Sequence, residues 1–345
     1  MKDEMTKWER VMAAVNGEPV DRAPLSFFGH NHVVERSTDT LVKHLLYQNS
    51  TFDWDFMKIQ LPNTYYGEAW GCKYQWDPAS SPQKGWLTVE GSIKKREDLY
   101  NVKELNPRKG ILGEQLKVTK LLKSFLEEEV PRMHTIFTPL TVIKRLTGTE
   151  LRTSSEVTLT RQLMEEAPNA MHNALRAVSN TLAEYAREAI RSGADGIFMT
   201  TTVWSLDAIS EEDYKIFGIP YDLPIYEAAI DEGARLNILH LCRDNIMLDL
   251  LSDYPVEIIS YDAKEPHNPP LTEALAKTDK AIWGGLNHKT TLLNGPLDAI
   301  YDDVNEVLND TNARRIILGP GCSVPPQTPA GNLQAVRDAI NTWHK

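Results

Sequence analysis

Short apolar segments alternate with helical patterns along most of the 345-residue chain. Eight segments of four to seven residues have the composition of buried strands, at 23–28, 55–60, 133–137, 196–200, 236–242, 256–261, 281–285 and 315–318. Amphipathic helical patterns occur at 5–17, 113–129, 168–193, 225–232 and 331–343. Strands that alternate with helices in this way predict a parallel sheet covered by helices. We therefore predict an α/β fold, a (β/α)8 TIM barrel, with residues 1–345 forming one domain.

An open, doubly wound sheet would show the same alternation, so the polar residues decide between the two folds. They cluster directly after the strands, as with His30, His32, Asn63, Thr201 and Asn287. In a closed barrel these strand ends converge on one mouth, where barrel enzymes bind substrate. We predict that the two asparagines and the threonine bind substrate and that the two histidines act as acid or base. Capping explains the histidines equally well, and strand propensity explains the threonine.

The fifth strand ends in a His-x-Cys pair, and a second cysteine follows the eighth strand. Because side chains alternate along a strand, His240 and Cys242 share one face with Ile238. We predict that this face points into the barrel and that Leu239 and Leu241 face the helices. Cys322 lies in a Gly-Pro-Gly-Cys loop. One imidazole and two thiolates suit zinc, and three protein ligands leave a fourth coordination position open for chemistry. The alternative is that all three are ordinary buried core residues.

Asp262 follows the sixth strand, next to the His-x-Cys strand in the predicted barrel. We predict that its carboxylate takes part in catalysis, either as a fourth, exchangeable zinc ligand or as a hydrogen-bond partner that orients His240. The remaining cysteine, Cys72, is predicted to be structural. It belongs to a segment, 67–92, whose turn formers and aromatic residues predict a short β excursion from the barrel. The acidic residues 127–129 are predicted to be solvated.

Composition excludes several classes of function. A net charge of −11 argues against a nucleic-acid-binding protein. No apolar run approaches the length of a membrane span, and residues 1–5 lack the apolar core of a signal peptide. We therefore predict a cytoplasmic protein whose three cysteines stay reduced. The chain also lacks the glycine-rich motifs of nucleotide-binding proteins and the Gly-x-Ser-x-Gly motif of serine hydrolases.

Several segments resemble the uroporphyrinogen decarboxylase superfamily. They are residues 6–24 (TKWERVMAAVNGEPVDRAP), 192–196 (SGADG) and 321–329 (GCSVPPQTP). Matches are scattered over essentially the whole chain, and the resemblance independently implies a single barrel. The tetrapyrrole decarboxylases of this superfamily hold carboxylate groups with an arginine-rich loop after the first strand. Here that loop reads Phe-Gly-His-Asn-His at 28–32 and contains no arginine. The carboxylate groups of such a substrate would therefore stay unpaired.

A second branch of the superfamily, the methylcobalamin-dependent methyltransferases of the coenzyme M type, carries zinc on a His-x-Cys pair and a later Gly-Cys. His240, Cys242 and Cys322 match that pattern. Cobalamin-independent methionine synthase is a more distant relation with an added glutamate, near whose position Asp262 falls. The resemblance implies methyl transfer between a corrinoid on a partner protein and a thiol or a methylated small molecule, with a homodimer as a possible assembly. A decarboxylase and a non-catalytic barrel that binds a corrinoid or tetrapyrrole are the alternatives.

Overall fold

The computed structural model describes residues 4–77, 79, 85–126, 130–148 and 158–343. Within them, strands β1 to β9 are Met57–Ile59, Lys73–Trp76, Trp86–Glu90, Arg132–Phe137, Gly196–Thr201, Ile238–Leu241, Ile258–Tyr261, Ala281–Leu286 and Ile316–Pro320. Helices α1 to α14 are Lys7–Val15, Thr38–Phe52, Tyr65–Ala69, Gly110–Phe125, Pro139–Leu146, Thr158–Glu166, Pro168–Arg191, Glu211–Phe217, Ile219–Asp231, Leu248–Leu251, Leu271–Lys277, Thr291–Asn294, Leu297–Thr311 and Ala330–Thr342. Two 3-10 helices lie at Val34–Arg36 and Arg96–Asn101. Of the described helices, none combines the length and apolar character needed to cross a membrane.

Seven of the described strands form one curled parallel sheet in the order β1-β4-β5-β6-β7-β8-β9. Sheet order follows chain order, so each strand pairs with the next one and the helices between them cover one face. Strands β2 and β3 form a separate antiparallel hairpin, which confirms the predicted β excursion. The second to eighth predicted strands each overlap a strand of the parallel sheet. The predicted acidic surface at 127–129 lies outside the described residues.

The first predicted strand, 23–28, does not form a regular strand. Leu25 makes only an isolated parallel bridge to Leu318 of β9. On its other side the Leu25 N–H donates to the Asp55 side chain at 2.8 Å, and the Ser26 hydroxyl donates to the Phe56 carbonyl at 2.8 Å. Side chains therefore bond to backbone groups, the Leu25 N–H and the Phe56 carbonyl, that would otherwise pair strand to strand. The regular sheet is a seven-stranded, half-barrel arrangement, and the backbone of segment 23–28 is hydrogen-bonded to Leu318 on one side and to Asp55 on the other.

The parallel sheet is buried on both faces. Ile238 belongs to an inner apolar cluster with Phe198 and Trp283, whereas Leu239 and Leu241 belong to the outer cluster beneath the helices. This alternation confirms the orientation predicted for the fifth strand. It also directs His240, two residues after Ile238, to the inner face.

Helix α1 covers the N-terminal end of the inner cluster, where Val11 and Ala14 are buried in it. The helix begins with a capping box formed by Thr6 and Glu9. A buried ion network fixes this end. The Arg10 and Arg22 guanidinium groups each lie 2.7 Å from the Asp55 carboxylate, and Asp21 pairs with Arg10 at 2.7 Å. Much of the 6–24 segment that resembles the decarboxylase superfamily therefore stabilises the end of the sheet opposite the predicted site.

Candidate metal centre

A cavity of about 490 Å³ lies at the C-terminal ends of the parallel strands. His240 reaches it from β6, Cys242 follows β6 by one residue, and Cys322 follows β9 by two. One ligand atom of each of these three residues lies within 4.8 Å of the other two. Cys72 lies elsewhere, with its thiol beside Ser92 and the Arg145 carbonyl. The fold thus brings together the three side chains that the sequence predicts as zinc ligands, although Cys322 lies 80 residues after Cys242 in the chain.

The imidazole of His240 is held at one nitrogen and left without a partner at the other. Its Nδ1 lies 3.0 Å from the Ser260 hydroxyl on the neighbouring strand β7. Its Nε2 is buried and has no hydrogen-bond partner. The rings of Phe28 and Phe198 pack against the imidazole at centroid distances of 5.6 and 5.2 Å. A buried nitrogen without a partner is costly, and a metal ion bound at Nε2 would remove that cost. The donor set and this nitrogen fit zinc.

The two thiols interact directly, and their proton affinities diverge. The hydrogen bond with Cys322 lowers the pKa of Cys242 to about 7. The same hydrogen bond, together with burial, raises the pKa of Cys322 above its ordinary value. The Thr200 hydroxyl lies 3.5 Å from the Cys242 sulfur and also favours its thiolate. A thiolate is the form that coordinates metal, so Cys242 is prepared to act as a ligand near neutral pH.

Asp262 lines the cavity. It does not make the hydrogen bond to His240 that was one of its two predicted roles. Its carboxylate lies 3.2 Å from Lys289 Nζ and accepts a hydrogen bond from the Lys264 backbone at 3.1 Å. Ser260, two residues earlier, provides the hydrogen bond to His240 instead. Gly321 packs on Asp262 so closely that a Cβ atom would lie 2.4 Å from the Asp262 Cγ. Asp262 therefore supports the loop that carries Cys322, and a catalytic role for it stays a prediction.

The two predicted histidines of the first loop form a cluster with Glu35. Nδ1 of His30 lies 2.9 Å and Nδ1 of His32 lies 3.3 Å from the Glu35 carboxylate. The two rings stack at 5.0 Å, and only His30 reaches the cavity. Burial raises the pKa of Glu35, but the two histidines outweigh it and lower the pKa to about 2. These three residues are also spaced to hold a metal ion, yet their mutual hydrogen bonds already satisfy the carboxylate.

The three predicted substrate-binding residues have different outcomes. Asn63 lines the cavity. Thr201 does not, because it points away and its hydroxyl pairs with Thr141 at 2.7 Å; Thr200 and Thr202 line the cavity instead. Asn287 also lies outside it. The Asn287 amide oxygen accepts from the backbone of the next turn, at 3.1 and 3.0 Å, so its role is that of a cap.

Sequence reasoning missed several residues of the cavity wall. His288 lines it, and burial lowers the pKa of this histidine to about 4. Lys58 and Arg145 bring positive charge to it from β1 and α5. A lysine in the middle of an otherwise apolar strand, two residues before Gln60, is the signal that could have identified Lys58. No comparable signal marks Arg145, whose helix follows the third predicted strand.

A model of the family described as Uroporphyrinogen decarboxylase (URO-D) matches residues 50–343. A methylcobamide:CoM methyltransferase, MtbA, from Methanosarcina mazei is 23 % identical over 99 % of both chains. A uroporphyrinogen decarboxylase from Prochlorococcus marinus is 24 % identical over 71 % of this chain and 69 % of that one. The solved structure of a methyltransferase from Methanosarcina mazei superimposes with a TM-score of 0.80 and 21 % identity, and it covers 98 % of this chain and 99 % of that one. The structural likeness establishes the shared fold.

Proposed function

Since the chain belongs to the uroporphyrinogen decarboxylase family, we propose that it is the family's zinc-dependent kind of methyltransferase. It would move a methyl group between a corrinoid, carried by a partner protein, and a thiol or a methylated small molecule. The observation that carries the proposal is the convergence of His240, Cys242 and Cys322 on one cavity, with His240 Nε2 left without a partner. The match to a methylcobamide:CoM methyltransferase over 99 % of both chains supports the same reaction class.

His240, Cys242 and Cys322 would hold the zinc ion. Bound there, zinc would supply Lewis acidity that lowers the pKa of a substrate thiol and keeps its sulfur nucleophilic. The neighbouring side chains of the protein would position the ligand His240 and shield it from water. Ser260 orients the imidazole of His240 through the contact at Nδ1. Phe28 and Phe198 exclude water from its ring.

Methyl transfer to a thiol breaks one carbon–metal bond in the corrinoid and forms one carbon–sulfur bond. The thiolate supplies the electron pair of the new bond, and the bonding pair stays with the corrinoid. The thiol proton must leave first. Among the residues that line the cavity, Asp262 and His288 could accept it, and their oxygen and nitrogen atoms lie 3.9 Å apart.

Decarboxylation is the second candidate, because a uroporphyrinogen decarboxylase is among the relatives. The cations Lys58 and Arg145 could hold a carboxylate. Against this candidate stands the loop at 28–32, which has histidines and no arginine. A non-catalytic barrel that binds a corrinoid or tetrapyrrole would bind ligand without turnover. We also infer that the 23–28 segment completes an eight-stranded barrel, and that the protein works in the cytoplasm.

The test is metal content followed by turnover. Protein purified without added metal is expected to contain about one zinc per chain, and the Cys242→Ala/Cys322→Ala double variant none. The zinc-loaded protein is then mixed with methylcobalamin and a panel of thiols, and loss of the methylcobalamin absorbance is followed. Methyl transfer by the parent but not by the double variant supports the proposal. Absence of zinc after reconstitution, or carbon dioxide release from uroporphyrinogen, would contradict it.

A further inference from the structure

The loop that follows β6 carries Cys242 and bends sharply directly after it. Arg243 has a φ of +84° and Asn245 a φ of +56°, both in the left-handed region of the backbone. Asparagine tolerates this region, but arginine rarely adopts it, because its Cβ atom crowds the backbone. A strained residue of this kind persists only where its surroundings hold it. The strain bears on the metal centre, since Arg243 is the direct neighbour of a candidate ligand.

Asn268 holds this loop in its bent conformation. The residue lies in the loop after β7, and its side chain is buried. Its Nδ2 donates to the Arg243 carbonyl oxygen at 2.9 Å, so the strained residue is fixed from a neighbouring loop. Its Oδ1 accepts from the Ile246 backbone N–H at 3.1 Å. These two hydrogen bonds tie down both ends of the 243–246 turn.

The same amide also contacts the strand end that supports Cys322. Nδ2 of Asn268 donates its second hydrogen to the Asp262 carbonyl oxygen at 2.9 Å. The Asp262 side chain packs on Gly321, which directly precedes Cys322 in the chain. Asn268 therefore holds the Cys242 loop directly and the Cys322 loop through Asp262. One side chain connects the two loops that carry the candidate thiolate ligands.

The orientation of the Asn268 amide is fixed by its partners. Both partners of Nδ2 are carbonyl oxygens and the partner of Oδ1 is an N–H, so an amide turned by half a rotation would lose all three hydrogen bonds. A buried polar group that is fully hydrogen-bonded in this way is rigid. Aspartate has the same shape but no hydrogens to donate, and glutamine is longer by one methylene group. The site therefore favours asparagine over either relative.

We propose that Asn268 is a positioning residue of the metal centre, whose amide holds Arg243 in its strained conformation and thereby sets the Cys242 sulfur beside that of Cys322. The inference rests on the metal centre of the proposed function and extends it to a residue that does not line the cavity. A metal site needs its ligands held close to their final geometry, because ordering them on binding lowers affinity. Asn268 supplies that order before the metal binds.

Titration with cobalt(II) tests the proposal, because thiolate ligands give bound cobalt a charge-transfer absorption that reports their number and geometry. Asn268→Asp keeps the shape and the acceptor of the side chain and removes both donated hydrogen bonds. Asn332→Asp is the matched control, since Asn332 is also buried and its Nδ2 donates to the Leu292 carbonyl at 2.9 Å, between α12 and α14. Urea denaturation measures the stability of each variant, and Asn268→Ser replaces Asn268→Asp if the latter does not fold.

Asn268→Asp is expected to bind cobalt at least tenfold more weakly than the parent and to lose much of the thiolate absorption. The control is expected to lose stability but to keep the cobalt affinity within about twofold. An Asn268→Asp variant with the affinity and spectrum of the parent would overturn the proposal. So would an equal loss of affinity in the control, because metal binding would then only follow overall stability.

The strain at Arg243 provides a rescue experiment. Glycine adopts a positive φ without strain, so Arg243→Gly in the Asn268→Asp background is expected to recover most of the lost cobalt affinity. Arg243→Ala in the same background removes the same guanidinium group but keeps the strain, and no recovery is expected. Equal affinities of the two double variants would show that Asn268 does not act through the backbone of Arg243, against the proposal.

Crystal structures of the metal-free parent and of metal-free Asn268→Asp give a measurement that does not depend on metal binding. In the variant, the φ of Arg243 is expected to become negative and the distance between the Cys242 and Cys322 sulfurs to increase by about 1 Å. An unchanged loop would overturn the proposal. If the parent binds neither cobalt nor zinc but the loop moves in the variant, the role of Asn268 in placing the two thiols stands and the metal part of the proposed function fails.

Discussion

Nδ1 of His240 lies 3.0 Å from the hydroxyl of Ser260, across the adjacent strands β6 and β7. The two residues are direct neighbours in the register of these strands. Because both face the inside of the sheet, the hydrogen bond fixes the plane of the imidazole and leaves Nε2 as its available nitrogen. The backbone register therefore sets the direction of a ligand lone pair.

Replacement of Ser260 by alanine is expected to weaken zinc binding ten- to a hundredfold, because the imidazole loses the partner that orients it. Competition with a zinc chelator measures the affinity. Ser179→Ala is the control, since the Ser179 hydroxyl is also buried but donates to the Tyr221 carbonyl in the helical layer. Equal zinc affinity in both variants would remove Ser260 from the site.

Each of the two cavity cysteines is expected to be needed for the metal. Cys242→Ser and Cys322→Ser should each lose most of the bound zinc, because a neutral hydroxyl is a much weaker ligand than a thiolate. Elemental analysis of the purified variants measures this. Cys72→Ser is a matched control with the same chemical change at a buried cysteine outside the cluster. Zinc retained by both cavity variants would contradict the ligand set.

The close approach of Gly321 to Asp262 is expected to make this glycine sensitive to substitution. In Gly321→Ala, the new Cβ would lie 2.4 Å from the Asp262 Cγ, so the loop that carries Cys322 must shift. We expect zinc affinity to fall at least tenfold, because misplaced ligands bind poorly. Gly331→Ala is the control, since a Cβ there meets nothing within 4 Å and should stabilise α14 slightly. Unchanged zinc affinity in Gly321→Ala would show that the loop adapts without cost.

A buried carboxyl group far from the cavity is expected to give the protein a pH-dependent weakness. Asp222 accepts hydrogen bonds from Tyr214 at 2.5 Å and Tyr254 at 3.0 Å, yet burial raises its pKa to about 7. The folded chain then keeps the Asp222 proton between about pH 4 and 7, where the unfolded chain has released it. Stability contributed by this group is therefore present at low pH and is lost as pH rises towards 7.

Asp222→Asn removes that titration and keeps an oxygen that can accept from both tyrosines. Its free energy of unfolding, relative to that of the parent, is expected to rise by roughly 2–4 kcal/mol between pH 4 and 7. Urea denaturation at several pH values measures the difference. Asp298→Asn changes an exposed carboxylate and should show no such trend. A difference between parent and Asp222→Asn that is constant with pH would show that Asp222 ionises normally.

The orientation of the metal ligands could be predicted because their own spacing defines it. His240 and Cys242 are two residues apart, so they share a face of any strand. The sequence pattern could not predict which side chains of β5 point inward. That strand is apolar on both faces, and a strand of this kind carries no polar alternation to show which side is inward. Thr201 does not line the cavity, whereas Thr200 and Thr202 do, and a substrate-binding role for Thr201 stays a prediction.

Other differences come from local hydrogen bonds that strand patterns do not report. Asn287 follows β8 as predicted, but its side chain caps the next turn instead of reaching a ligand. Leu25 has the composition of a strand, yet its N–H is used by the Asp55 carboxylate. The two histidines at 30 and 32 contact Glu35, three residues after His32. The sequence pattern did not single out this partner. That residues 1–345 form one domain, and that two copies assemble, stay predictions.

Helix α1 and the Arg10–Asp55–Arg22 network cover the N-terminal end of the inner cluster, so ligands must use the cavity mouth. Under the proposed function, the small substrate and the much larger corrinoid protein both reach the site through the mouth of this cavity. A corrinoid protein bound at the mouth would block the entry of the small substrate. We therefore expect a compulsory order in steady-state kinetics, in which the small molecule binds before the carrier, and in which excess carrier inhibits by trapping the empty enzyme.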